Sequence, residues 1–78
     1  MKYYSDGIGR HLVCIPYSVE NLHKMAKELN IKRCWFHNSS AGAHYDIPKK
    51  RIQEISEKTI VVSSLEILQI IKGLHELD

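Results

Sequence analysis

Seventy-eight residues make room for one domain, residues 1–78, and exclude a second. Two cysteines, Cys14 and Cys34, allow at most one bridge and lie in apolar stretches without C-x-x-C spacing; a disulfide framework is excluded, and both read as reduced, buried, small hydrophobes of a cytosolic protein. The net charge of +2 is too small for strong non-specific duplex binding, yet it is uneven: residues 1–51 carry nine Lys/Arg against four Asp/Glu, and residues 52–78 carry two against five, which suggests an anionic partner for the basic part.

Lys2 to Ser5 reads as a short strand. An acid, Asp6, arrives before any apolar run develops, so no signal peptide is expected. Asp6-Gly7-Ile8-Gly9 is a loop, and His11 to Pro16 is a β-branched strand that Pro16 ends. Ser18 caps a helix whose apolar stripe is Val19, Leu22, Met25, Ala26 and Leu29, with Asn30 as a left-handed stop. Ile31 to Phe36 reads as a strand, His37 to Ala43 as a polar loop, and His44-Tyr45-Asp46 as an extended segment. Asp46 is a candidate cap for a second helix with Pro48 in its first turn and Ile52 and Ile55 on its apolar side. Thr59 to Val62 reads as a strand buried on both faces. Ser63 or Ser64 caps a last helix, with Leu65, Leu68, Ile71 and Leu74 or His75 on one face and Ile67 and Ile70 widening the stripe. Apolar runs such as Ile60-Val61-Val62 are too short to span a bilayer. Alternating strands and helices predict a small α/β domain with a mainly parallel sheet of about four strands and three helices. A core this small is marginal alone, so a homo-oligomer is expected.

Candidate chemistry gathers between Cys34 and Lys50, centred on His44-Tyr45-Asp46. Lys49, Lys50 and Arg51 stand at the expected start of the second helix, where acids are usual, and three cations beside free N–H groups suit a phosphate or carboxylate. His37, His44 and Asp46 offer two imidazoles and a carboxylate: acid and base for catalysis, hydrogen bonds for ligand recognition, or donors for a divalent metal, though the spacing matches no known ligand motif. Trp35 and Tyr45 beside these cations suit stacking of a base. Asp6 and Arg10 would share a rim with His37 if the sheet is parallel there. His11, next to Arg10, adds charge to that rim, while His23 reads as structural. Ser39 and Ser40 lack a nucleophile-elbow context.

Leu22-His23-Lys24-Met25-Ala26, Arg33-Cys34-Trp35-Phe36 and His44-Tyr45-Asp46, preceded by Tyr4-Ser5-Asp6, resemble a family of short bacterial and phage proteins known as a domain of unknown function. The resemblance covers residues 3–47. This chain has Asn30 where the family often has Gly and His37 where it often has Gln. The resemblance implies Arg33, Trp35, His44, Tyr45 and Asp46 as a shared site, adds His23 to it, and implies no activity.

The leading reading is a phage or bacterial protein that binds an anionic, phosphorylated, nucleotide-like small molecule, in one version sequestering a host-defence signal. Arg33 and Lys49–Arg51 take the anion, Trp35 or Tyr45 stacks, and His44 and Asp46 orient. The enzyme alternative is a phosphodiester or nucleotide hydrolase using His44 with His37 or His23 as acid and base and Asp46 or Asp6 as orienter. A third class is an inhibitor acting by protein contact or a nucleic-acid-binding module, with nucleic acid not favoured as a partner. No cofactor or metal is assigned, no membrane is expected, and the setting is cytoplasmic, of the host if phage-encoded.

Overall fold

The computed structural model describes residues 1–74. Strand β1 (Lys2–Ser5) pairs antiparallel with β2 (His11–Ile15), Tyr3 opposite Cys14 and Ser5 opposite Leu12. A 3₁₀ turn, Gly7–Gly9, joins them. Helix α1 (Val19–Glu28) starts at Ser18, whose side chain accepts from the Asn21 N–H. It ends in a Schellman motif: Asn30 is left-handed at φ 57, Ile31 N–H bonds Ala26 O and Asn30 N–H bonds Lys27 O. Leu22, Met25 and Ala26 are the buried side of α1.

From Ile31 on, the chain departs from the expected strand. Ile31 is a buried anchor below the helix end, and Arg33–Trp35 is a 3₁₀ turn. The strand runs later, as β3 (Phe36–Ser39), and returns as β4 (Gly42–Asp46). The expected loop at His37–Ala43 is therefore a hairpin, turning where Gly42 takes φ 115. Asp46 lies in β4 and caps nothing; Lys49–Arg51 is a 3₁₀ turn, and α2 (Ile52–Lys58) follows without a side-chain cap. Strand β5 is only Ile60–Val61, and both residues are exposed rather than buried on two faces. Ser63 caps α3 (Ser64–Ile71), accepting from the Glu66 N–H.

The sheet has five strands in the order β3-β4-β2-β1-β5. Only β1 and β5 are parallel; the other pairs are antiparallel. This corrects the expected four-stranded, mainly parallel sheet. Crossovers of helix length make parallel neighbours, whereas short turns make antiparallel ones. Two junctions here, Asp6–Arg10 and Ser40–Ala41, are such turns.

Helix α1 packs on the face of β2 and β4 that carries Tyr45, and α3 packs on the opposite face. Helix α3 buries Ile67 and Ile70 and exposes Leu65 and Leu68, the reverse of the expected stripe. It is apolar around most of its surface, so periodicity alone does not select its inner face. The expectation for His75 lies outside the described residues. Cys14 is buried, with its thiol pushed up to about 11 by desolvation, while Cys34 is exposed, contrary to the buried reading; both are free. No helix among the described residues is long and apolar enough to cross a membrane.

Candidate functional site

Strand alternation divides the expected site in two. In β4, Ala43 and Tyr45 point to the α1 face, and Gly42, His44 and Asp46 point to the α3 face. The His44-Tyr45-Asp46 tripeptide thus serves two surfaces.

The α3 face gathers the imidazoles. His37 of β3 stands opposite His44, and His11 of β2 stands opposite Asp46, so all four side chains share one face. His37 Nε2 lies 2.9 Å from Asp46 Oδ2, and His44 Nε2 lies 3.3 Å from Asp46 Oδ1. The His11 and His44 rings meet edge to face at 5.1 Å, and His37 and His44 stack at 5.9 Å. Asp6 closes the cluster from the β1–β2 turn. Its Oδ2 is 2.8 Å from His11 Nδ1, its Oδ1 accepts the His11 backbone N–H at 2.8 Å, and the Ser64 hydroxyl donates to Oδ2 at 2.7 Å. Burial pushes the Asp6 carboxyl upward, but these bonds outweigh it and hold the group below its ordinary value. Asp6 also sits against the α-carbon of Gly9, where a β-carbon would collide with its carboxylate. Exposure decides the roles: the Asp6 side chain is 1% exposed and His44 10%, whereas His11 is 42% and His37 54% exposed. Two histidines face solvent over a buried, hydrogen-bonded floor.

The α1 face carries a separate groove of about 510 Å³, lined by Glu20, His23, Lys24, Lys27, Arg33 and Tyr45 among others. Tyr45 donates its phenol hydrogen to neutral His23 Nδ1 across 2.7 Å. Burial, and then the Arg33 charge, lower the His23 pKa; burial raises that of Tyr45 against the opposing effect of Arg33. His23 also packs on Phe36.

The remaining candidates fall elsewhere. Arg51 does not offer itself to an anion: it donates to the Leu29 and Asn30 carbonyls and pairs with Glu54, which Arg51 and Lys58 together hold at about 2. Lys49 and Lys50 are exposed two and three residues beyond Ile47, whose N–H bonds Arg10 O. Arg10 Nε also bonds Ile47 O, which ties Arg10 to the chain just beyond the His11–Asp46 pair. Trp35 is half-buried against the core rather than stacked over the cluster. Arg33 shares the groove with Tyr45, not with His44 and Asp46. Sequence reasoning placed Asp6 by a parallel-rim argument that the antiparallel sheet removes; Asp6 reaches the site through His11 instead. From the sequence, His11 offers only added charge on the rim and Ser64 only a helix cap. A histidine opening an otherwise apolar strand, five residues after an aspartate, was the available signal.

A family described as "Protein of unknown function (DUF4031)" matches residues 6–73. The chain belongs to this family. The DUF4031 match begins at Asp6 and takes in His11, His37, His44, Asp46 and Ser64, so the whole α3-face cluster lies inside the family domain. No curated protein and no solved structure matches the chain.

Proposed function

We propose that this DUF4031 domain is a hydrolase of phosphoesters, with nucleotide-like substrates, and that Asp6, His11, His37, His44 and Asp46 form its reaction centre. The carrying observation is the convergence of three imidazoles and two carboxylates on one sheet face, with His37 and His44 sharing the Asp46 carboxylate. His37 is exposed and oriented by Asp46, which suits transfer of a proton to or from a bound substrate. The buried members hold the reacting group, and Arg10 next to His11, with the exposed Lys49 and Lys50 in the turn after β4, supplies the positive field that a phosphate needs. His23 is left out of the reaction, because Tyr45 holds it on the other face.

The test is incubation with a panel of cyclic, linear and ADP-ribose-type nucleotides, followed by separation of products. Turnover well beyond one equivalent is expected. Recovery of every nucleotide intact rejects the hydrolase.

A second reading is a protein that holds such a ligand without cutting it, as in sequestration of a signalling nucleotide. The groove on the α1 face favours it, since Arg33, Lys24 and Lys27 ring an opening of small-molecule size. Calorimetric titration with the same panel, compared between wild type and Arg33→Ala, tests it; heat lost in the variant supports the groove, and no heat from any nucleotide rejects it. For either reading the free cysteines fit a cytoplasmic setting, and the exposed Ile60, Val61, Leu65 and Leu68 fit a homo-oligomer.

A further inference from the structure

We infer that His11, His44 and Asp46 form a binding site for one divalent transition metal, with Zn²⁺ the best-suited ion. The argument begins with hydrogen-bond accounting around His44, a ring only 8% exposed. Its Nδ1 faces the Gly42 carbonyl at 3.1 Å, an acceptor, so Nδ1 carries the hydrogen. In the neutral ring Nε2 is then a lone pair, yet it faces Asp46 Oδ1, another acceptor, at 3.3 Å. Two acceptors at that distance need a cation between them or a second proton on the ring. A shared metal meets the need for both donors at once.

The spacing supports this arrangement. Zinc bonds to nitrogen and oxygen of about 2.0–2.2 Å in tetrahedral geometry set neighbouring donors about 3.3–3.5 Å apart. The His44–Asp46 pair already stands at 3.3 Å. With His11 the three donor groups lie within 4.8 Å of one another, so a shift of about 1.5 Å by the solvent-facing His11 ring completes the triad.

Each donor is also oriented from behind. Asp6 accepts from His11 Nδ1 and leaves Nε2 free; Gly42 O does the same for His44; His37 Nε2 donates to the far oxygen of Asp46. Asp6 is itself fixed by Ser64 and the His11 backbone. Metal-ligating histidines characteristically carry such carboxylate or carbonyl partners. Two imidazoles, which are borderline donors, beside one carboxylate suit zinc better than calcium or magnesium, and three protein ligands leave one position open to water, as in hydrolytic sites. The ion would supply the activated water that the proposed hydrolase requires.

The test uses the full chain, stripped by chelator and checked for fold by circular dichroism, then titrated with Co²⁺ and Zn²⁺. One equivalent of Co²⁺ is expected to give the visible absorption of four- or five-coordinate cobalt, and Zn²⁺ to abolish it. Asp46→Asn is expected to lose the band. Asp6→Asn is expected to retain it with affinity reduced about 10–100-fold, and His23→Gln to bind as wild type. No band in the folded wild type, or an unchanged band in Asp46→Asn and Asp6→Asn together, overturns the site. The inference deepens the hydrolase reading but separates from it: cobalt binding without nucleotide turnover upholds the metal and rejects the hydrolase. Turnover by metal-free protein that shows no cobalt band does the opposite.

Discussion

Tyr45 and His23 show how one polar pair sets both packing and pH response. The Tyr45 hydroxyl is carried into the domain on a residue that is 1% exposed, and His23 Nδ1 satisfies it. Burial and Arg33 lower the His23 pKa from 6.5, so the unfolded chain takes up this proton more readily than the folded one. Stability from this pair is complete above about pH 6.5 and is lost as pH falls through the lower folded value. Thermal melts from about pH 8 down to about pH 5 should therefore show wild type exceeding His23→Gln at the upper end, with the gap closing at the lower end. A gap independent of pH contradicts the assignment. The sequence pointed to His23 as structural through its helix position, but its partner was hidden. Tyr45 and His23 are 22 residues apart, and the sequence marks the strand containing Tyr45 only as a brief extended segment.

At the scale of elements, the β3–β4 hairpin matters most because it carries three of the five cluster residues. Gly42 allows it, with φ 115 and its α-carbon against Ile71 of α3, where a β-carbon would overlap the side chain. Gly42→Ala combines strain with displacement of α3 and is expected to destabilise by about 1–3 kcal/mol, read from the urea midpoint; an unchanged midpoint contradicts this packing. Arg51 joins two other elements. It bonds the last carbonyls of the α1 end, Leu29 O and Asn30 O, both at 2.7 Å. Arg51→Met removes these charge-assisted bonds and is expected to cost about 1–3 kcal/mol, whereas Arg33→Met, an exposed residue outside this junction, is expected to leave the midpoint nearly unchanged. Helix α1 was legible from end to end, because Ser18, the apolar stripe and Asn30 are local signals that each name a boundary. The hairpin was not. His37-Asn38-Ser39 is polar and exposed, and an outer strand of a sheet needs no apolar alternation to exist. The α3 stripe failed for the opposite reason: apolar residues lie on both sides of it, and only the sheet decides which side turns inward.

Across the whole molecule, the sheet assigns its two faces different chemistry. One face collects histidines and carboxylates at the His11–Asp46 end of β2 and β4, and the other collects cations around a groove. Four members of the cluster are candidates from the sequence alone: His37, His44, Asp46 and Asp6. Their grouping is not legible there, because a one-residue step along β4 changes face and the sequence alone does not fix the partner of β2. The basic excess of residues 1–51 is consistent with both faces and does not choose between them.

The direct test of the central claim is nucleotide turnover in two variants that divide the faces. Asp46→Asn removes the carboxylate that His37 and His44 share, and Arg33→Ala empties the groove of its guanidinium. Product formation is expected to fall by about 100-fold or more in Asp46→Asn and to stay within about threefold of wild type in Arg33→Ala. Turnover abolished by Arg33→Ala and preserved in Asp46→Asn would contradict the account and place the chemistry on the α1 face.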